Sequence, residues 1–76
     1  MRSHETEIDI SVDQGTQTHI YVVNNMGQVV KEIYKGYLSG GNHEFRMNRE
    51  NLNAGFYLLM VQSGQETSCH KMIIAQ

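Results

Sequence analysis

The side chains most able to do chemistry are four histidines and one cysteine, and they are scattered over separate predicted elements. The histidines are His4, His19, His43 and His70. They lack the spacing that metal ligands show, so we predict no metal centre and no cofactor. Cys69 is the only cysteine, which excludes a disulfide within the chain and any cysteine-rich zinc site. We expect Cys69 to be a small, half-buried apolar side chain, with an intermolecular disulfide or a reactive thiol as the alternative.

Four carboxylates near the amino end form a stripe with a period of two. They are Glu5, Glu7, Asp9 and Asp13. We interpret this stripe as the solvated face of a strand, with weak calcium binding as the alternative. The serines lack the context of a nucleophile elbow, and Gly40-Gly41-Asn42 opens no helix that could bind phosphate. The residue types therefore predict a binding or structural module and no enzyme.

Length and composition point to one small globular domain. The 76 residues are 39% hydrophobic, which is too apolar for a disordered segment, and they include seven glycines and no proline. A net charge of −2 offers no basic field for nucleic acid. No apolar run approaches the roughly 18 residues needed to span a bilayer, so no membrane insertion is predicted. Residues 1–4 are predicted to be an expression start or a disordered lead-in, and residues 5–76 a single β-sandwich.

The stretch that organises the chain is Leu52-Asn53-Ala54-Gly55-Phe56-Tyr57-Leu58-Leu59-Met60-Val61. Its last six residues are apolar, and this run is too short for a buried helix, so it predicts a central strand. One face of that strand carries Tyr57, Leu59 and Val61. The other face carries Phe56, Leu58 and Met60. We expect neighbours on both edges of this strand and cover above and below it.

Five further segments have the pattern of strands separated by short turns. They are residues 5–13, 18–23, 28–34, 42–48 and 67–75. Residues 34–42 are rich in glycine and predict a loop or a strongly bent edge. Residues 49–55 predict a connection that crosses between two sheets. Short strands about ten residues apart predict an all-β fold, an immunoglobulin-like antiparallel β-sandwich of six to seven short strands. Immunoglobulin-like sandwiches usually have seven strands. We therefore expect either a compact variant of the fold or a domain whose first strand lies upstream of this sequence.

Three motifs resemble the C-terminal sorting domain of the type IX (Por) secretion system of Bacteroidetes. The first is the strand–turn–strand of residues 20–30, with Asn24-Asn25-Met26-Gly27-Gln28 at its turn. The second is Gly41-Asn42-His43-Glu44-Phe45, followed by the run that begins at Leu52. The third is Lys71-Met72-Ile73-Ile74 near the end of the chain. The resemblance covers residues 7–75, and the Asn-Pro strand that commonly opens the family domain is absent.

The resemblance implies a sorting signal without catalytic activity. The parent protein would cross the inner membrane by a signal peptide, pass through the periplasm, and be recognised by an outer-membrane translocon. A sortase-like cysteine peptidase would then cut upstream of this domain. The cargo would end at the outer membrane and cell surface, often attached to lipopolysaccharide, or be secreted.

Residue patterns add a candidate recognition surface on the outer face of the central and last strands. It consists of Leu58, Met60, Lys71 and Ile73. Other motif residues have structural roles: Gly27, Gly41, Phe45, Gly55, Tyr57, Leu59, Val61, Met72 and Ile74. An exposed strand edge also predicts a homodimer, through edge pairing or exchange of a terminal strand.

Two other functions are compatible with these patterns. An immunoglobulin-like adhesion or carbohydrate-binding module would use Tyr21, Tyr34 and Tyr37 for stacking on its ligand. A structural assembly domain, such as the immunoglobulin-like domain of a flagellar hook-capping protein, has similar glycine turns. A secretion assay and a glycan-binding screen would separate these functions from a sorting signal.

Overall fold

The computed structural model describes residues 5–75, and these residues form six β-strands. The strands are β1 (Glu5–Val12), β2 (Thr16–Val23), β3 (Val29–Leu38), β4 (Gly41–Asn48), β5 (Gly55–Ser63) and β6 (Glu66–Ile74). Within residues 5–75 there is no helix that could cross a membrane. All six predicted strands are present, which confirms the all-β fold class. The predicted lead-in at residues 1–4 lies outside the described residues.

The strands form two antiparallel sheets that stack as an immunoglobulin-like sandwich. The smaller sheet pairs β1 with β4, and the larger sheet has the order β3-β2-β5-β6. Residues 49–54 carry the chain from β4 in one sheet to β5 in the other, as predicted. β5 has hydrogen-bonded neighbours on both edges, which confirms its central place in the larger sheet.

The core lies between the sheets and follows the period-two pattern of each strand. Ile20 and Val22 of β2 are fully buried at its centre. The alternate residues of β5 join them in one cluster, because every second side chain of a strand points to the same face. The complete set of buried cluster residues is Ile8, Ile20, Val22, Met47, Leu52, Tyr57, Leu59, Val61 and Ile74.

Residues 34–42 were predicted as a loop or a strongly bent edge, and for most of this segment the structure shows an edge strand and no loop. β3 continues to Leu38, and only Ser39 and Gly40 separate it from β4. Tyr37 and Gly36 pair with Gln17 and Thr18 of β2, so the neighbouring strand supplies their ladder partners. Local glycine content indicated a loop, but pairing with β2 decided the structure.

The expected cover over both faces of β5 is also wrong. Its inner face is buried by the second sheet, whereas Phe56 is 60% exposed and Leu58 is 37% exposed on the outer face. A two-layer sandwich has nothing to place above the outer face of the larger sheet. The apolar outer face of β5 therefore faces solvent.

Two tight turns connect the β2–β3 and β5–β6 hairpins of the larger sheet. In the β2–β3 turn, the Asn24 side-chain oxygen accepts hydrogen bonds from the backbone N–H of Met26 (2.9 Å) and of Gln28 (3.0 Å). Gly27 has a φ of 82°, a conformation that favours glycine. In the β5–β6 hairpin, Gly64 has a φ of 63° and Gln65 does not have a positive φ, which is typical of a two-residue type II′ turn.

Candidate functional site

The four residues predicted to form a recognition surface lie together on the outer face of β5 and β6. Leu58 pairs with Lys71 across the two strands, and Met60 pairs with Cys69. Ile73 is 69% exposed. Direct cross-strand partners share a face of the sheet, so these side chains form one surface. We call Phe56, Leu58, Met60, Lys71 and Ile73 the outer patch.

Phe56 belongs to the outer patch but was not among the predicted recognition residues. It pairs with Ile73 at the end of the patch, and the Lys71 Nζ lies 5.1 Å from the centroid of the Phe56 ring. A cation at this distance from a ring is attracted by the ring's negative face, which holds the lysine over an apolar surface. The signal that could have found Phe56 was the period of two that already placed it beside Leu58.

The apolar surface continues from the outer patch onto β2. Val23 pairs with Leu58, and Tyr21 pairs with Met60. Although Val23 is on the outer face, it is only 9% exposed, because its partner in β5 and Val29 of β3 lie on either side of it. Beyond this row, the rings of His19 and Tyr21 are 4.5 Å apart. The outer face of β2 thus changes from apolar at Val23 to polar at His19.

The predicted structural motif residues divide into turn or strand-start positions and core positions. Gly27 lies in the β2–β3 turn, while Gly41 and Gly55 begin β4 and β5. Phe45 packs against the Tyr34 ring, with the two centroids 5.4 Å apart. The core positions are Tyr57, Leu59, Val61 and Ile74, which are buried, and Met72, which is half-buried.

The structure does not bring the histidines together. His19 Nε2 lies 3.0 Å from a Glu32 carboxylate oxygen, and His43 Nε2 lies 2.7 Å from the backbone oxygen of Ser39. His70 pairs with Leu59 on the inner side of β6 and is exposed. His4 lies outside the described residues. Each described histidine therefore has its own surroundings.

The prediction that Cys69 is half-buried is wrong, because the structure exposes it. Cys69 lies on the outer side of β6, opposite Met60. β6 is an edge strand whose outer face has no layer above it, so a small side chain in its middle is open to solvent. Sequence alone indicated a strand at Cys69 but gave no sign that this strand lies at an edge.

The carboxylate stripe forms a compact acidic group on the smaller sheet. Oxygens of Glu7, Asp9 and Glu44 lie within 4.8 Å of one another, and all three residues are exposed. A hydrogen bond with the Glu44 side chain and the nearby negative charges of Glu44 and Asp9 raise the pKa of Glu7 above its usual value. Exposed carboxylates of this kind are common on solvated strands, so the group by itself indicates no ion site.

An open cleft of about 860 Å³ lies where the β1–β2 turn meets the β5–β6 hairpin. Its walls are mostly hydroxyl, amide and backbone groups, with Asp13 and Glu66 as the ionisable side chains. The cleft exists because the inner side of β6 is uncovered near Ser68. Two carboxylates on an open wall do not form an acid–base pair with a neighbouring nucleophile. The cleft is a polar depression that is open to solvent at one end of the sandwich.

Comparison with known protein families places this chain in a described family. The family described as the secretion system C-terminal sorting domain matches residues 4–75. No curated protein and no solved structure matches this sequence. The match spans nearly the whole chain, including all six strands and the outer patch.

Proposed function

Since this chain belongs to the family of secretion system C-terminal sorting domains, it acts as a type IX secretion signal, and we propose that the outer patch is what the secretion machinery recognises. Membership of the family implies an interaction with that machinery and export of the attached protein to the cell surface or the medium. The family is not a catalytic one. We propose that the residues of the outer patch make the contact with that machinery.

One observation carries the proposal, namely an exposed apolar surface that contains a single cation. Phe56 and Ile73 are more than half exposed, and Lys71 is the only lysine or arginine of β5 and β6. Isolated exposed apolar residues are ordinary, but a contiguous patch on a small domain is typical of an interaction site. The patch also lies on regular strands, which hold its side chains in fixed positions.

Finer steps of the export route belong to the same proposal. The domain passes through the periplasm, is recognised by the outer-membrane translocon, and is separated from its cargo by a sortase-like peptidase that cuts upstream. Recognition through a surface fits a domain that has no catalytic constellation among its described residues. We propose no enzymatic activity for this chain.

A homodimer is a further part of the proposal, with the contact on the β1 side of the sandwich. β1 has β4 as its one neighbouring strand within the described residues, so the opposite edge of residues 6–12 is open to an added strand. The open cleft leaves the inner side of the β5–β6 hairpin uncovered beside this edge. A second copy of the chain covers both the β1 edge and the cleft when it adds a strand at β1 or exchanges a terminal strand.

The structure does not support either alternative function. An adhesion module would need tyrosines free to stack on a ligand. Tyr34 instead packs against Phe45, and its hydroxyl donates a hydrogen bond to the backbone oxygen of Tyr37. No observation favours a hook-capping role.

The test of the recognition surface is a display assay. A reporter with a signal peptide is fused to this chain and produced in cells with and without the type IX machinery. We expect Lys71→Glu and Met60→Asp to fold but to leave the reporter in the periplasm, because each places a negative charge on the outer patch. Surface labelling and cell fractionation measure the outcome.

Matched controls place the same changes away from the outer patch. Lys35→Glu alters an exposed lysine on β3, and Met26→Asp alters a methionine that is 76% exposed in the β2–β3 turn. Both should display the reporter normally. Normal display of Lys71→Glu and Met60→Asp as well would rule out the outer patch as the recognition surface.

A further inference from the structure

The four outer edges of the two sheets differ in how well they are protected against an added strand. Natural edge strands are usually blunted by charged side chains, bulges or local irregularity. β3 has two register shifts against β2 and carries Lys31, Glu32 and Lys35. β1 and β4 carry several exposed charges, including the acidic group of Glu7, Asp9 and Glu44.

β6 has no register shift, and its two formal charges, Glu66 and Lys71, lie five residues apart. It pairs with β5 over nine consecutive residues without a register shift. From Thr67 to Ile74, its only formally charged residue is Lys71. Six of its nine residues are exposed in an unbroken run from Glu66 to Lys71. Of the edge strands without a register shift in the described residues, β6 is therefore the longest, and Lys71 is the one charge beyond its first residue.

The hairpin turn determines which backbone groups of β6 face outward. In a two-residue turn of this type, the closing pair Ser63 and Glu66 is the hydrogen-bonded kind, and the kinds alternate along an antiparallel ladder. Every second residue from Glu66 onward therefore bonds to β5. The remaining residues direct their N–H and C=O groups to the open edge. They are Thr67, Cys69, Lys71 and Ile73.

We propose that the edge of β6 is a strand-addition site, where a partner in the secretion machinery pairs an extended segment with Thr67–Ile73. This inference rests on the proposed function, since the outward-facing backbone groups belong to residues that share a face with the outer patch. Strand addition supplies affinity through main-chain hydrogen bonds, and the adjacent side chains supply specificity.

The side chains of β6 define the chemistry of the added segment. Lys71 is the single cation of the edge, so the segment places a carboxylate beside it. Met72, Ile73 and Ile74 form an apolar end, and Glu66, Thr67 and Ser68 form a polar end. The matching segment is therefore extended, acidic near its middle, apolar at one end and polar at the other.

A second copy of β6 does not satisfy this pattern. Two copies related by a two-fold axis pair antiparallel, so the polar end of one strand faces the apolar end of the other. With Cys69 on the axis, Glu66 would lie opposite Met72, and Lys71 opposite Thr67. No charge pair forms in this register, and the one pair of like apolar residues is Cys69 with Cys69 on the axis. This mismatch favours a foreign strand over self-pairing at this edge.

The test removes one outward N–H without changing the ladder to β5. Cys69→Pro deletes that donor and places the proline ring at the open edge, where a strand tolerates proline. Cys69→Ser is the matched control, because it changes the side chain and keeps the N–H. In the display assay, we expect Cys69→Pro to lower the displayed fraction about tenfold and Cys69→Ser to leave it unchanged.

Circular dichroism and thermal melting of the purified chain show that each variant is folded. Should Cys69→Pro unfold, the pair Thr67→Pro and Thr67→Ser makes the same comparison closer to the turn. A folded proline variant that displays as well as the parent overturns the strand-addition site. So does an equal loss in the serine variant, or a parent dimer in sedimentation that the proline variant abolishes.

The two proposals fail in different ways. Normal display of Lys71→Glu and Met60→Asp removes the outer patch as the recognition surface and the carboxylate proposed beside Lys71, whereas the proline and serine variants still test the backbone pairing at β6. Loss of display in those two variants, together with normal display of folded Cys69→Pro, keeps the patch and removes the strand addition.

Discussion

At the scale of single residues, neighbouring side chains of the same type have opposite roles. Leu58 and Leu59 are consecutive, yet the first is 37% exposed on the outer patch and the second is buried in the core at 8%. The alternation of a strand separates them, because successive side chains point to opposite faces. A substitution at Leu59 therefore tests stability, whereas one at Leu58 tests recognition.

Tyr57 shows how a buried aromatic residue anchors the central strand. It is 8% exposed, and its hydroxyl donates a 2.6 Å hydrogen bond to the backbone oxygen of Asn53. We expect Tyr57→Ala to lower the free energy of unfolding by about 3–5 kcal/mol, since it leaves a cavity in the core. A loss of this size could unfold a domain this small. Urea or thermal unfolding of the purified chain measures it.

Tyr57→Phe is the matched control, because it keeps the ring and removes only the hydroxyl. Tyr57→Phe should lower the free energy of unfolding by about 0.5–1.5 kcal/mol, which is the usual net contribution of one hydrogen bond. A cost for Tyr57→Ala no larger than that of Tyr57→Phe would show that the ring does not anchor the core.

At the scale of elements, turns define which strands become neighbours, and edges define what each strand can bind. The two-residue β5–β6 turn sets a nine-residue register, and this register places Lys71 opposite Leu58. The β2–β3 turn, by contrast, leads into a pairing with two register shifts. A regular hairpin leaves an edge that accepts another strand, while an irregular one does not.

The β2–β3 turn gives a prediction about backbone strain. Gly27 has a φ of 82°, and a methyl group added there would meet nothing within 4 Å. Gly27→Ala should therefore lower the free energy of unfolding by about 1–2 kcal/mol. The loss comes from the backbone conformation, because the added methyl group meets no neighbouring atom. Thermal unfolding measures the cost.

Gly27→Asn is the matched control, because asparagine tolerates positive φ better than alanine does. It should retain more stability than Gly27→Ala. Equal stability of the alanine variant and the parent would contradict the role of this glycine.

At the scale of the whole molecule, the sandwich is asymmetric. Two strands cover four, so part of the inner side of β6 stays open and the cleft forms beside it. The same asymmetry separates two surfaces of different chemistry. The outer patch is apolar with one cation, and the face of the smaller sheet carries the acidic group. Two partners can therefore meet the domain on different sides.

Self-association on the β1 side is the prediction at this scale. The acidic group repels a second copy, and salt screens that repulsion. We expect partial dimerisation at high micromolar concentration, and more of it at 0.5 M than at about 0.05 M salt. Sedimentation velocity measures the dimer fraction.

Glu7→Gln should raise the dimer fraction at low salt, since it removes one of the repelling charges. Glu32→Gln, a change to an exposed carboxylate on β3, should not raise it. A strictly monomeric profile under all these conditions would contradict the homodimer.

The sequence by itself determined the strands, the core-facing residues and the family, because these depend on local period and on motif order along the chain. It also placed Leu58, Met60, Lys71 and Ile73 on one surface, since alternation in two adjacent strands suffices for that. Tertiary structure alone decided that residues 34–38 extend β3, that Cys69 is exposed, and that the outer face of β5 is uncovered. Each of these depends on which strand lies beside or above another, and local sequence does not encode that arrangement.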